Sequence, residues 1–490
     1  AQVNLAHGCN FCISGAKVAG HKQYYRPRTF GSASATDTDR GGGKHAWAMV
    51  VEPNASLAAA HKEVMADRPW WQEPLLTSEA DGAEIALPAS CDIVIVGGGI
   101  AGSATAYWLR KADPSCSVVV LERGCTAASG ATSRNGGHLL PFCADLQAFA
   151  ERCGREDADR RHAVEQGAMA MVREFCAEHD ADCELHQNGT LLLCSDAKVF
   201  EAVQCDAEAQ GPCEVWDAER CHVELGERAA AYAGGILWPA GGQLWPAKLC
   251  EALLQVATQL GAIVRTSCEV SEIRSSSNGS GAELLTNIGP LRAERCAVVC
   301  TNGYAAELLP ELRDFVKPVR GQVLLTAPIA EEHRFPCNIV TFAASTKPGA
   351  SYGSSEYLIQ RQDGRVVLGG ARHVAPGCEV GVTDDSRVRC AIASELRSAL
   401  VRLGLPAEAV DVERDWSGIM GYTADSGPLL GPVPGRPGVL ACLGFTGHGM
   451  PVAFPVARAV AQMALTAPGG LAPEWLPRAW LAERLASIIP

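Results

Sequence analysis

The chain has 490 residues, 47% hydrophobic and 20% charged. At ~150 residues per domain that is roughly two to four structural units, enough to bury a core without disulfides or metals. Lys+Arg 42 against Asp+Glu 55 gives a net charge of −13, the wrong sign for a protein whose main work is on nucleic acid. The 21 cysteines are odd in number and scattered, which excludes a compact disulfide scaffold and points to reduced thiols inside the cell, in the cytoplasm first.

Residues 1–45 read as loosely ordered and end in Gly41 to Gly43. The first 36 carry Lys17, Lys22, Arg26 and Arg28 but no Asp or Glu, a composition that also fits organelle targeting. Cys9 and Cys12 have CxxC spacing, but no second CxxC follows and no metal site is expected. Every long apolar run is broken by a charge, Pro or Gly, so no transmembrane segment is expected. A short helical pattern runs from Ser56 to Met65, before Trp70-Trp71 and an acidic, Pro-bounded linker.

Order then begins abruptly. Cys91 to Val96 is a continuous β-branched run, the pattern of a strand buried on both faces of a parallel sheet. Gly97 to Gly102 breaks it, Ser103 to Lys111 is helical in pattern, and Ser117 to Leu121 is a second buried strand. Further on, helices are expected at Arg160 to His179, Lys248 to Leu260, Arg387 to Leu403 (a surface helix) and Val452 to Leu465. Strands are expected at Thr190 to Cys194, Ile263 to Thr266, Glu269 to Ile273, Cys296 to Cys300 and Ala441 to Leu443. Val319 to Thr326, with Tyr357 to Gln360 and Val366 to Leu368 joined by Asp363-Gly364, reads as antiparallel.

The first βα turn is Gly97-x-Gly99-x-x-Gly102, with Glu122 ending the second strand 20 residues after Gly102. One glycine makes the turn, the second lets the backbone approach a pyrophosphate, and the third packs helix on strand. The helix start then faces the phosphates, and the acid falls where an adenosine ribose is bound. A dinucleotide site follows.

Arg123 is followed by ASGATSRNGGHLLP, Ala128 to Pro141. Downstream stand GGQLWPAKL, VVCTNGY, PVRGQ, YLIQRQDGRVVLGG, WSGIMGYTADSGPLLG and GFTGHGM, in that order. Here the chain resembles the flavoprotein family of D-amino-acid oxidase, glycine oxidase and sarcosine oxidase, nearest its γ-glutamylputrescine-oxidoreductase-like branch, over about residues 85 to 466. The resemblance implies an α/β fold: a Rossmann-like FAD-binding domain with an interleaved, largely antiparallel-sheet substrate domain. Residues 88–145, 236–310 and 415–467 are expected in the first and 146–235 and 311–414 in the second. Residues 1–87 are then an N-terminal extension and 468–490 a tail.

It implies FAD at Gly97, Gly99 and Gly102 (pyrophosphate) and at Glu122 and Arg123 (ribose and adenine). Thr132, Ser133, Asn135 and Gly136 would run toward the flavin, and Val270 would touch the adenine. Gly447, His448, Gly449 and Met450 would present a helix start to the flavin pyrimidine, where it stabilises negative charge. A turn histidine that only satisfies backbone groups is the alternative for His448.

The departures from the pattern narrow the chemistry. Sarcosine oxidases carry flavin on a cysteine where this chain has Met420, and dimethylglycine-dehydrogenase-like relatives on a histidine where it has Arg134, so FAD is expected to be non-covalent. An oxygen-activating lysine matches Val367, leaving the electron acceptor as oxygen or another oxidant. Cations that hold an amino-acid carboxylate in relatives fall at Met420 and Gly447. A small amine without an α-carboxylate is therefore the first expectation. An amino-acid or N-methyl-amino-acid substrate is the second, with Arg372 either restoring the charge or making a structural ion pair. His138, Trp416 and Tyr422 are the other candidates for the substrate wall, with a structural role as the alternative. A flavin-binding protein without turnover is the rival from another class.

Overall fold

The computed structural model describes residues 61–72, 86–144, 146–276, 280–344, 352–466 and 470–487. The expected loose segment 1–45, the Cys9/Cys12 pair and most of the acidic linker lie outside them.

The run SCDIVIV has too many β-branched residues to leave a polar face, and the strand Ser90–Val96 sits in mid-sheet with Ile93, Val94 and Ile95 fully buried. It pairs in parallel with Val118–Leu121 on one side and Gly289–Val299 on the other. Ile263–Arg265 extends the parallel order beyond Val118–Leu121, and Val439–Leu443 pairs with the C-terminal part of Gly289–Val299. An antiparallel meander of Val270–Ser275, Ala282–Thr286 and Gly289–Val299 completes one edge, and Leu429–Pro432 pairs antiparallel with Val439–Leu443. Helices Ile100–Ala112, Pro246–Gln259, Arg155–His179 and Met450–Leu465 share one apolar core with this sheet.

A second eight-stranded sheet runs Val412–Thr423, Val316–Thr326, Val366–Gly370, Tyr352–Gln360, Asn338–Ala344, Thr190–Cys194, Gly234–Trp238 and Glu214–Asp217. Every neighbour pair in it is antiparallel except Asn338–Ala344 with Thr190–Cys194. The fold is thus α/β with mixed parallel and antiparallel sheets. Val412–Thr423 pairs with Val316–Thr326 along its whole length, so the expected boundary between residues 414 and 415 falls inside one strand.

Two expected helices need correction. In the first, Glu63–Met65 is a strand, paired antiparallel with Arg387–Arg389; residues 56–60 lie outside the described set. An isolated short helix is costly to nucleate, and here a ladder and the Glu63 ion pairs with Arg320 and Arg389 compete with it. The same pairing takes the first three residues from the helix expected at Arg387, which begins at Cys390 instead. That helix is not wholly a surface one: Ile392, Leu396 and Leu400 are buried against the second sheet.

Candidate cofactor and substrate site

The glycine turn opens onto a cavity of about 610 Å³, within the ~300–1,000 Å³ usual for ligand sites. Gly97 has φ +108°, and a side chain there would begin 2.9 Å from the Cys300 carbonyl oxygen. A Cβ at Gly102 would collide with the Gly97 carbonyl, so only glycine lets the helix Ile100–Ala112 start this close to the turn. At Gly99 a Cβ would sit 3.0 Å from Thr132 Oγ1, which itself accepts the Ile100 N–H at 2.9 Å. The cavity wall is therefore bare backbone on one side and a threonine on the other, a fit for a pyrophosphate.

Glu122 is buried at the end of the second strand and lines the same cavity. Its carboxylate accepts from Gly98 N at 2.7 Å, Gly124 N at 2.8 Å and Ser129 Oγ at 2.7 Å. A carboxylate offers about four acceptor positions, so the group is held rigid with capacity for a ribose hydroxyl. Arg123 lies 4.0 Å over the Tyr304 ring and 3.2 Å from Glu307, and Val270 closes this end.

The loop after Glu122 divides its residues between cavity and core. Thr132, Arg134 and Asn135 line the cavity. Asn135 Nδ2 donates to Thr132 O at 2.8 Å and lies 3.6 Å from Met450 Sδ, which links the loop to the last helix. Arg134 donates to Ser129 O and Ser417 O at 2.9 Å each and pairs with Asp385 at 3.4 Å. Ser133 is fully buried and accepts from Gln72 Nε2 at 2.7 Å, facing away from the cavity.

At the start of Met450–Leu465, Gly447, Gly449 and Met450 line the cavity. His448 does not. Its Nε2 meets Glu165 Oε2 at 2.7 Å, with Arg161 on the other carboxylate oxygen at 3.0 Å. Burial pushes the Glu165 acid up, but His448 and Arg161 outweigh it and bring it down to about 2.

The residues expected on the substrate wall are partly brought together. Arg372 Nη2 donates to the Tyr422 hydroxyl at 2.8 Å, and the guanidinium lies 5.0 Å from the ring centre. Among the described residues no carboxylate lies within ion-pair distance of Arg372. The Tyr422 hydroxyl is 2.5 Å from where a Cβ on Gly447 would begin, and Tyr357 Cε2 is 2.7 Å from the same point on Gly136. Arg372 and its two tyrosines thus lie beside Gly136 of the loop and Gly447 of the helix start, next to the cavity although none of the three is part of its lining. His138 packs edge-on to Tyr357 at 5.6 Å; burial lowers its pKa to about 4, so the imidazole is neutral.

Trp416 is the exception and corrects the expected wall. It is fully buried with Trp71 and Trp245, and its Nε1 donates to Arg134 O at 3.1 Å. Met420 stands four residues along on the same face of Val412–Thr423, where the strand has passed from this core to the cavity.

Four contributors were not among the expected site residues. Asp385 and Tyr304 close the cavity beside Arg134, with Tyr304 Oη donating to Asp385 at 3.4 Å; nothing in its local sequence marks Asp385, and Tyr304 ends the VVCTNGY motif without an assigned role. Tyr357 sat inside a quoted motif without a role. Trp71 had a signal, as half of an aromatic pair in a polar stretch. Among the described residues no group of three or more His, Cys, Asp or Glu is placed to hold a metal, and no helix is long and apolar enough to cross a membrane.

Residues 92–463 match the model of a family described as FAD dependent oxidoreductase, DAO. Glycine oxidase of Geobacillus kaustophilus (strain HTA426) is 26% identical over 375 residues, 73% of this chain and 89% of that protein. Gamma-glutamylputrescine oxidoreductase of Escherichia coli (strain K12) is 24% identical over 385 residues, 76% of this chain and 83% of the relative. The crystal structure of the G. kaustophilus glycine oxidase superimposes with a TM-score of 0.62 at 23% identity, covering 80% of this chain and 99% of that one.

Proposed function

The chain belongs to the DAO family of FAD dependent oxidoreductases, and from that premise we propose that it oxidises the C–N bond of a small amine that carries a carboxylate. FAD, when bound, supplies the acceptor for a hydride lost from the carbon next to nitrogen; the resulting imine is released to hydrolysis. In this reading Gly97, Gly99 and Thr132 hold the pyrophosphate and Glu122 the ribose, while Asn135, Gly447, Gly449 and Met450 border the flavin ring.

The observation that carries the substrate class is Arg372. A guanidinium without an acid partner among the described residues, steadied by Tyr422, is set to take a carboxylate through charge-assisted hydrogen bonds. It stands on a different segment, the short turn Arg372–Val374, from the positions, Met420 and Gly447, where relatives are expected to carry their cations. The tyrosine and arginine would then fix the donor's acid group and turn its C–N bond toward the ring, which is positioning rather than proton transfer. His138, neutral and buried, adds no charge to the site. Val367 is fully buried and uncharged, so an acceptor other than oxygen goes with this reading.

The two relatives named above act, by their names, on glycine and on gamma-glutamylputrescine. An amine without a carboxylate on the carbon that is oxidised is the second reading, and Met420 and Gly447 are what favour it. Anaerobic bleaching of the flavin by a panel of amino acids, N-methyl amino acids and polyamines tests both. The amino-acid reading expects reduction by carboxylate-bearing donors first. Reduction by polyamines alone would replace it with the second reading, and no reduction by any donor would leave the non-catalytic flavoprotein.

A further inference from the structure

The family match begins at residue 92, yet a segment well upstream of it reaches into the cofactor loop. Glu63–Met65 pairs with Arg387–Arg389, and Ala66 N donates to Ser386 O and Asp67 N to Asp415 O, each at 2.8 Å. The chain then enters a short helical turn, Trp70–Gln72, whose second and third residues are buried. Trp71 Nε1 donates to Asn135 O at 2.7 Å, and Gln72 Nε2 to Ser133 Oγ at 2.7 Å and Ser129 O at 3.3 Å. From behind, Trp245 Nε1 donates to Trp71 O at 2.9 Å, Trp70 stacks on Trp245 at 4.5 Å, and Arg361 lies 4.3 Å over Trp70.

We propose that residues 62–72 are a strap that holds the loop 129–136 in its cofactor-binding shape, with Trp71 and Gln72 as positioning residues for FAD. The loop is a single short helical turn, Ala131–Arg134, that closes on itself through Arg134 Nε to Ser129 O and Asn135 Nδ2 to Thr132 O, and the strap adds donors from outside it. Its residues Ser129, Gly130, Ala131, Thr132, Arg134 and Asn135 line the cavity, and the strap's donors attach to the buried Ser133 hydroxyl and to the backbone carbonyls of Ser129 and Asn135. The strap's other end is anchored independently of the loop. Glu63 joins Arg320 and Arg389, which share the fully buried Glu379. Arg320 also donates to Asp384 O at 3.0 Å, next to the Asp385 that pairs with Arg134. Both cavity walls are thereby tied to one segment outside the family match. The strap leaves the donor's identity untouched; it acts on cofactor retention.

The test uses the full chain loaded with FAD. Trp71→Phe keeps a smaller aromatic ring and loses the N–H, and Gln72→Leu keeps the volume and loses both donors. Release of FAD is followed by the rise of flavin fluorescence on dilution. Hydrogen exchange of the peptide spanning residues 129–136 is followed in parallel, with the melting temperature of each apoprotein. The strap expects FAD release at least tenfold faster in one or both variants, faster exchange confined to that peptide, and apoprotein melting within a few degrees of the parent. Release within twofold of the parent in both variants would overturn it. So would lowered apoprotein melting with unchanged release, which makes the segment a structural support only. If Trp71→Phe does not fold, Gln72→Leu alone decides by the same two readings.

Discussion

Glu165 and His448 meet at 2.7 Å across the interface between the long helix Arg155–His179 and the turn that starts the last helix. The acid is 1% exposed, and its pKa is held at about 2 in the fold against ~4.3 in an unfolded chain. A depressed acid contributes stability above its unfolded pKa and loses it as pH falls toward the folded value. The difference is worth about 3 kcal/mol at neutral pH. Stability is therefore expected to fall steeply between about pH 5 and pH 2. In Glu165→Gln that fall should be flatter, from a lower starting point at pH 7. Urea midpoints measured across this range check it, and parallel curves for the two proteins would show that the pair is not what anchors the turn.

The glycine turn separates two kinds of damage. Gly102→Val would drive a branched side chain into the Gly97 carbonyl, so the helix cannot start and the protein is expected to misfold. Gly99→Asp meets only Thr132 Oγ1 and places a negative charge on the wall assigned to the pyrophosphate. It should fold, melt near the parent and purify colourless. The flavin-to-protein absorbance ratio decides, and normal FAD content in Gly99→Asp would mean that the phosphates lie elsewhere.

Acid precipitation should release the flavin into the supernatant. Of the two positions where covalent links are expected in relatives, Arg134 is committed to Ser129, Ser417 and Asp385, and Met420 has no nucleophile. His138, four residues further on, is buried against Tyr357 and off the cavity wall. Yellow colour remaining in the pellet, with a fluorescent band on a denaturing gel, would contradict this.

The cofactor half of the site was legible in the sequence because its demands are local. Backbone approach needs Gly97, Gly99 and Gly102 at fixed spacing, and the acid follows at the end of the next strand. The strands themselves announced their burial through CDIVIV and SVVVL. Helices Leu146–Cys153 and Ala218–Leu225 escaped because eight residues are too short to establish a period, and Ala197–Gln210 because it buries only Val199, Val203, Ala207 and Gln210. The donor side was not legible as a geometry. Arg372, Tyr422 and Tyr357 come from three separate segments, and sheet register assembles them: Tyr357 stands opposite Gly369, whose missing side chain leaves room for the ring. The short strand at Glu63 failed for the same reason, since its partner lies more than 300 residues away.

Arg372 is where the substrate class will be decided. If it takes a donor carboxylate, then Arg372→Met should remove a charge-assisted contact worth ~2–3 kcal/mol, slowing flavin reduction by carboxylate-bearing donors about 30–150-fold. The matched amine without the carboxylate should change little. Arg372→Lys should recover only part, because an ammonium cannot supply the paired donors of the guanidinium. Met420→Arg, which puts a cation at the position where relatives are expected to carry one, should add less than threefold while Arg372 is present and more in the Arg372→Met background. The measurement is the anaerobic flavin reduction rate with ornithine against putrescine, at equal saturation. If putrescine wins tenfold in the parent and Arg372→Met leaves the ratio unchanged, the guanidinium serves Tyr422 alone and the carboxylate-free amine becomes the substrate class.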